Sequence, residues 1–417
     1  MKIQSFFVLL LIMVCTVCCG TPQKEGEKPI STADAGTTLD ATSTNPPEQK
    51  AIGPDNNSAQ DKTANNPEPG TAQPDAGSTP DNNTSQPEPQ PEPAQPEPAQ
   101  PELTKPPERS APPEVRTPPK ADYTQPLGPL TTKALSRQTV QLPSSTGCSR
   151  SLCTVYLDIT YPSNTTPTRK PPYPLAIVSN GFLLGDRYYA TYAKRLASWG
   201  YVVIRWDTNR ETPFGYIKHD ALGKMLIEII NHGSKLQQSG ALQNQMDLGK
   251  VFLVGHSRGG KASVLAAQKD KRVVGVFGID PVNSAPQGAR GSVSALTQMA
   301  SMKAPLAVIG AGKGGSGFQA CAPTKDNYSK FYQAANPPAW QILIPDAGHM
   351  QFLDTQSGCL PCFACTKGQK KDADIRNIAQ IAMVMWAEKT TRSVDISSFL
   401  NGKWSQSITS GTTFTNK

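Results

Sequence analysis

The chain has 417 residues, of which 37% are apolar and 18% are charged, and its formal net charge is +8. The charge is distributed unevenly: residues 1–130 carry 9 basic and 17 acidic side chains, whereas residues 131–417 carry 32 and 16. A basic C-terminal part suits an anionic surface or polymer. No basic run interleaves with aromatic residues, which argues against a nucleic-acid-binding protein.

The first 19 residues resemble a bacterial lipoprotein signal peptide. Lys2 precedes an almost wholly apolar run from Phe6 to Val14, which is too short to cross a bilayer. Cysteines follow the run directly, and we expect Cys19 to become the lipidated N-terminus, with Cys18 as the alternative. The signal predicts an exported protein anchored to a membrane by this lipid, in the periplasm or at the cell surface. Plain secretion is the alternative.

Residues 20–130 have the composition of a spacer. They are rich in Pro, Glu, Gln, Asn, Thr and Ala, and they contain near-repeats of Gln-Pro-Glu-Pro between Gln86 and Glu102. Such a segment cannot bury enough apolar surface to fold. We predict a disordered, polyproline-biased tether that separates the membrane from a folded domain at residues 131–417.

From residue 131 onwards, short apolar segments alternate with segments of helical spacing. The predicted strands are Val155–Ile159, Pro174–Val178, Tyr201–Ile204, Val251–Val254, Val273–Ile279, Leu306–Ile309 and Trp340–Ile344. Helices are predicted near residues 186–200, 222–230, 261–267 and 374–388. This alternation predicts an α/β fold with a mostly parallel, doubly wound sheet. The length fits one domain with a substantial core.

A Gly-His-Ser-Arg-Gly motif at residues 255–259 joins a predicted strand to a predicted helix. Glycines on both sides relieve the crowding of a tight turn, which lifts the hydroxyl of Ser257 above the sheet edge. There the hydroxyl can attack an acyl carbon, and the helix N-terminus offers N–H groups to the resulting oxyanion. The motif favours a serine hydrolase over an incidental turn.

The chain has four histidines, and chain order selects one of them as the general base. In strand–turn–helix hydrolases the order is serine, acid, histidine. His219 and His232 precede Ser257, and His256 lies inside the turn. His349, which follows a predicted strand, is therefore the predicted base.

Four aspartates and no glutamate lie between the serine and this histidine. Asp270 belongs to a solvated charge cluster, and Asp346 is too close to His349 along the chain. Asp280 ends an apolar strand at its carboxyl end, where open α/β sheets place their chemistry. We predict Asp280 as the acid that orients the histidine, with Asp326 as the alternative.

The cysteines of the predicted domain fit export. Their number is even, which predicts up to three disulfides, but six cysteines allow 15 pairings. The disulfide candidates are Cys148, Cys153, Cys321, Cys359, Cys362 and Cys365. We expect Cys148–Cys153 as a local clip, and Cys321 could reach the group at 359–365. That group also has metal-like spacing, but a fourth ligand is missing at the expected distance, so we favour disulfides and predict no metal.

Three blocks of the chain resemble the catalytic blocks of the chlorophyllase family of α/β-hydrolases. They are residues 255–261, residues 278–282 (Gly-Ile-Asp-Pro-Val) and residues 348–354, and Cys-Ala-Pro at 321–323 is also similar. The resemblance covers roughly residues 174–389. It implies Ser257, Asp280 and His349 as nucleophile, acid and base, and an α/β-hydrolase fold.

The resemblance also locates an oxyanion loop. Here it reads Ser-Asn-Gly-Phe at residues 179–182, where the family usually has His-Gly-Phe. The backbone N–H groups of Phe182 and Arg258 are predicted to hold the oxyanion, and the changed side chain does not alter that role.

Two classes of function follow. The first is an exported serine esterase, similar to chlorophyllases, esterases and lipases, that cleaves small or lipid-like carboxylic esters through an acyl-enzyme. The second is a catalytically silent hydrolase-fold module that binds a ligand or a cell-wall polymer. For the first we expect a monomer that needs no cofactor, and the complete serine, acid and histidine set favours it.

Overall fold

The computed structural model describes residues 121–417, except residues 209–210, 213–214, 285–291, 317–319, 402–403 and 405–410. The predicted signal peptide, the predicted lipid site at Cys19 and most of the predicted spacer lie outside the described residues. Within the described part of the chain, no helix combines the length and the apolar character needed to cross a membrane.

Packed structure begins before the predicted domain boundary at residue 131. Tyr123 and Leu130 are both buried, and the Tyr123 ring lies 4.7 Å from that of Trp199. The Leu130 N–H donates to the carbonyl of Ser198 at 3.1 Å. Tyr123 and Leu130 therefore pack with the folded domain, although both precede residue 131.

The described strands form one sheet. Their bounds are β1 Thr132–Ala134, β2 Gln138–Gln141, β3 Thr154–Pro162, β4 Tyr173–Ser179, β5 Val202–Thr208, β6 Met246–His256, β7 Val273–Ile279, β8 Leu306–Ala311, β9 Ala339–Ile344 and β10 Thr413–Asn416. The order is β1-β3-β5-β4-β6-β7-β8-β9-β10, with β2 paired to β3. The strands from β5 to β9 are parallel, and β1, β2, β3 and β10 pair antiparallel at the edges.

Helices follow most of the parallel strands. Their bounds are α1 Ala190–Ser198, α2 His219–Leu236, α3 Arg258–Ala267, α4 Tyr328–Ala334, α5 Asp372–Arg392 and α6 Ser397–Leu400. A 3₁₀ turn at Asp186–Tyr189 replaces the first residues of the helix predicted at 186–200. This arrangement confirms the predicted α/β class with a mostly parallel, doubly wound sheet.

The sheet is buried on both faces. On β6, Phe252 and Val254 belong to the core layer that contains α1 and α5, whereas Val251 and Leu253 belong to the layer that contains α2, α3 and α4. Successive side chains of a strand point to opposite faces, so a strand covered on both faces is apolar throughout. The carboxyl ends of the central strands are thereby left as the edge at which polar side chains collect.

Candidate active site

Ser257 occupies the sharp turn between β6 and α3. Its φ of 56° places a non-glycine residue in the left-handed region, which is a strained conformation. A Cβ on Gly255 would overlap the carbonyl of Gly259, and a Cβ on Gly259 would overlap the carbonyl of Ser179. Glycine is required at both positions for this reason, and the turn presents the serine above the sheet edge.

Asp280 and His349 form a buried hydrogen-bonded pair beside this turn. The Nδ1 atom of His349 lies 2.6 Å from Oδ2 of Asp280, and the other carboxylate oxygen accepts from the Ala311 N–H at 3.2 Å. The two side chains are 2% and 0% exposed. A carboxylate only accepts hydrogen bonds, so Nδ1 carries the proton and Nε2 is left as an acceptor.

Asp326, the alternative acid, lies elsewhere. Its main-chain carbonyl accepts from the Asn283 N–H at 2.7 Å, and its charge acts on Lys261. No hydrogen bond among the described residues joins it to His349. The structure therefore brings Asp280, and not Asp326, to the histidine.

Ser257 and His349 line one pocket of about 680 Å³, measured out to its open mouth. Most of its wall is apolar, including Phe182, Val282 and Met350. A mostly apolar cleft with a few convergent polar groups is typical of a small-molecule site.

Two unpaired backbone donors lie in the same wall. The N–H groups of Phe182 and Arg258 make no hydrogen bond to any described residue, and both residues line the pocket beside Ser257. Arg258 is the first residue of α3, so its N–H also points out of the positive end of a helix. The arrangement can hold negative charge that develops next to the serine.

The side chain of Arg258 has a role that the sequence did not reveal. Its guanidinium forms a two-pronged ion pair with Glu211, and the side chains are 5% and 8% exposed. It also lies 5.3 Å from the centre of the Phe182 ring, in a cation–π arrangement. The ion pair thus supports both residues that offer the unpaired N–H groups.

Arg258→Met is expected to destabilise the fold by about 3 kcal/mol, because among the described residues Glu211 would keep a buried charge with only the Ile217 N–H as a hydrogen-bond donor and no cation to balance it. Urea denaturation measures this loss. The double variant Arg258→Met/Glu211→Gln should recover most of it. If the double variant is no more stable than the single one, the unpaired carboxylate is not the cause.

His256 connects the loops on either side of the serine. Its Nε2 lies 3.1 Å from the carbonyl of His349, which can only accept, so Nε2–H donates. Its Nδ1 accepts from the hydroxyl of Tyr189 at 2.8 Å, and that oxygen accepts from the Gly181 N–H at 3.3 Å. Burial, and then the charge of His349, hold the pKa of His256 well below its usual value, so the ring stays neutral. These hydrogen bonds connect Gly181, the residue before Phe182, to the main chain of His349.

His219 also lines the pocket, although it was excluded as the general base because it precedes Ser257 in the sequence. It is the first residue of α2, it is 1% exposed, and neither ring nitrogen has a partner among the described residues. Burial, reinforced by Lys261 and Arg258, holds its pKa well below the usual value. A neutral imidazole there adds a donor and an acceptor to the wall. No local sequence signal marked it.

Lys261 lies one turn into α3 and is 1% exposed. Its ammonium donates to the carbonyl of Asn283 at 2.6 Å. Burial lowers its pKa from 10.5 to about 8, against the opposing effect of Asp326 and Asp220. The folded protein therefore releases this proton at a lower pH than the unfolded chain does.

The stability of the wild type relative to Lys261→Met should rise by up to about 1.4 kcal/mol per pH unit between about pH 8 and 10.5. In this window the unfolded chain binds a proton that the folded protein lacks, so unfolding becomes less favourable as pH rises. Below about pH 8 the relative stability should be constant. Denaturant unfolding of both proteins across the window measures the slope, and a flat difference would show that the ammonium is not desolvated by folding.

The structure pairs all six candidate cysteines. Cys148 is bonded to Cys153, as predicted, and this clip lies at the start of β3, away from the pocket. Cys321 is bonded to Cys365, and Cys359 is bonded to Cys362. The thiols at 359–365 are therefore divided between two disulfides and do not form one ligand set. Cys321 and Cys365 line the pocket.

The parallel sheet, the strained serine turn and the buried carboxylate–histidine pair at the carboxyl ends of its strands together define an α/β-hydrolase. The chain belongs to the chlorophyllase family, whose model matches residues 162–400. The family assignment supports a hydrolase that acts on esters.

Three curated relatives are plant chlorophyllases. The chain is 28% identical to Chlorophyllase-1 of Arabidopsis thaliana over 254 residues, which cover 54% of this chain and 76% of that protein. It is 28% identical to Chlorophyllase-2 of the same plant over 207 residues, covering 45% of this chain and 63% of the relative. Its identity to Chlorophyllase type 0 of Chenopodium album is 26% over 203 residues, covering 45% and 58%.

Proposed function

We propose that this protein is an exported serine hydrolase that cleaves carboxylic esters with Ser257 as nucleophile, His349 as base and Asp280 as orienting acid. The observation that carries the proposal is the 2.6 Å hydrogen bond between Asp280 and His349, because His349 lines the same pocket as Ser257. The family assignment supports the same class of reaction.

In the first half-reaction, Nε2 of His349 takes the proton of the Ser257 hydroxyl while Oγ attacks the ester carbonyl carbon. The backbone N–H groups of Phe182 and Arg258 hold the oxyanion. When it collapses, the bond to the alcohol oxygen breaks, and the alcohol leaves with the proton from His349. Asp280 stabilises the charged imidazole throughout.

In the second half-reaction, His349 takes a proton from water, and the resulting hydroxide attacks the acyl carbon. Collapse of this second oxyanion breaks the bond to Oγ and releases the acid. The proton returns from His349 to Ser257, which restores the starting state.

The apolar pocket wall favours uncharged, lipid-like esters, and a panel of substrates tests this. The full chain would be assayed with p-nitrophenyl esters of increasing acyl length, with polyester film and with chlorophyll. We expect turnover of the p-nitrophenyl esters. Ligand binding without turnover of any member would contradict the proposal and favour a catalytically silent module that binds a ligand or a cell-wall polymer.

We also propose that a lipid on Cys19 anchors the protein to a membrane. The apolar run before this cysteine supports the proposal, and the three disulfides fit an oxidising compartment. Cys19→Ser should abolish incorporation of labelled palmitate and release the protein from membranes of a bacterial host. Cys18→Ser is the matched control. Loss of label in that variant alone would move the lipid site to Cys18.

A further inference from the structure

One short turn carries two large apolar side chains that are exposed to solvent. Leu360 and Phe363 belong to the 3₁₀ turn Leu360–Ala364 and are 46% and 82% exposed. Among the described residues, only Leu127 and Val293 are other large apolar side chains with comparable exposure. An aromatic ring left this exposed forgoes the stabilisation that burial gives, which is a mark of a contact surface.

This turn forms part of the pocket mouth. Pro361 and Ala364 line the pocket, as does Cys365 immediately after the turn. The Cys359–Cys362 disulfide closes the turn on itself, and Cys321–Cys365 ties it to the loop that follows β8. The two apolar side chains are thus presented on a constrained element, which reduces the entropy lost when they dock.

The surroundings of the turn are basic. Residues 355–371 contain three lysines and no acidic residue. The side chain of Lys367 is 61% exposed, although its ammonium lies 3.4 Å from a carboxylate oxygen of Asp372. Lys371 is exposed as well. Residues 131–417 together carry 32 basic and 16 acidic side chains, so a wider positive field surrounds this local charge.

We propose that the turn Leu360–Ala364 docks the hydrolase onto an anionic lipid surface, with Phe363 and Leu360 inserted among the acyl chains and the lysines at the headgroups. Aromatic and leucine side chains beside lysines are the combination that binds such surfaces. If the proposed esterase function holds, docking places the pocket mouth against esters dissolved in the lipid.

Fluorescence of the full-length Phe363→Trp variant tests insertion directly. The five native tryptophans are all buried: Trp199, Trp206, Trp340, Trp386 and Trp404. The introduced indole is therefore the one that reports on the solvent. We expect its emission to shift to shorter wavelength with phosphatidylglycerol-containing vesicles, and brominated acyl chains to quench it. Vesicles of phosphatidylcholine alone should have a much smaller effect.

The control is Leu127→Trp, which places an indole at another exposed position, since Leu127 is 45% exposed. Its emission should not respond to either vesicle, even if an N-terminal lipid holds the protein on the membrane. No response of the Phe363→Trp variant to anionic vesicles, or an equal response to both kinds, would overturn the proposal. So would a shift that depends on protein concentration without lipid, because the turn would then contact a second copy of the chain.

Steady-state kinetics with soluble and vesicle-dispersed esters distinguish an effect on membrane docking from an effect on catalysis. Phe363→Ser should keep the wild-type kcat/KM for a short, soluble p-nitrophenyl ester and lose about tenfold or more in the hydrolysis of a long-chain ester dispersed in anionic vesicles. Equal loss on both substrates would mean that the side chain supports the site and not docking. The fluorescence measurement needs no turnover, so failure of the esterase proposal would leave its result interpretable.

Discussion

Replacing Ser257 with alanine is expected to lower ester turnover by about 10⁶-fold, the loss typical of removing a serine nucleophile. In the proposed mechanism the hydroxyl supplies the oxygen that becomes acylated, and alanine has no atom to replace it. The hydroxyl makes no hydrogen bond to a described residue, so its removal should leave the fold intact. Initial rates with a p-nitrophenyl ester measure the effect, and thermal unfolding checks the fold.

Ser284→Ala is the matched control, because Ser284 lines the same pocket but does not lie in the turn between β6 and α3. It should retain turnover and should still be labelled by a fluorophosphonate probe, whereas Ser257→Ala should not be labelled. Probe labelling that survives in Ser257→Ala would place the nucleophile on another residue.

Asp280→Asn should lower kcat by about 10⁴-fold through the wrong histidine tautomer. Oδ1 of Asp280 accepts from the Ala311 N–H, and Oδ2 faces His349. An asparagine keeps its amide oxygen on Ala311 and therefore turns its NH₂ group towards Nδ1. Nδ1 then becomes an acceptor and Nε2 carries the proton, so Nε2 can no longer take the proton of Ser257.

The comparison variant is Asp326→Asn, which should change kcat little because Asp326 is not hydrogen-bonded to His349 among the described residues. Steady-state kinetics of the two variants under identical conditions decide the assignment. A large loss in Asp326→Asn with a small loss in Asp280→Asn would reverse the roles of the two carboxylates.

Most strands and helices could be predicted from the local pattern of apolar residues along the chain. Strands β4 and β6 were predictable because strands covered on both faces are apolar along their length, and α5 was predictable from its length and spacing. The pairing order of the strands was not predictable, since it depends on how separate segments pack. Tyr123 and Leu130 are isolated apolar residues in a polar segment, so only their contacts with the domain show that they are buried.

The nucleophile could be predicted from a short sequence motif, whereas the rest of the site could not be predicted from such a motif. The glycines around Ser257 are needed for a backbone approach within a few residues, so the motif is visible in the sequence. His349 and Asp280 were found by chain order and elimination. The partnership of Arg258 with Glu211 and that of His256 with Tyr189 were missed, because each joins residues more than 40 positions apart without a repeating pattern.

Four features follow from the amino-acid sequence alone: the α/β class, the turn that contains Ser257, the candidates for base and acid, and the local Cys148–Cys153 disulfide. These features depend on neighbours along the chain. Three other features became visible in the folded chain: Asp280 is hydrogen-bonded to His349, Cys321 is bonded to Cys365, and the exposed turn Leu360–Ala364 borders the pocket. Those contacts form where distant segments meet at the carboxyl edge of the sheet, and their geometry is set by packing.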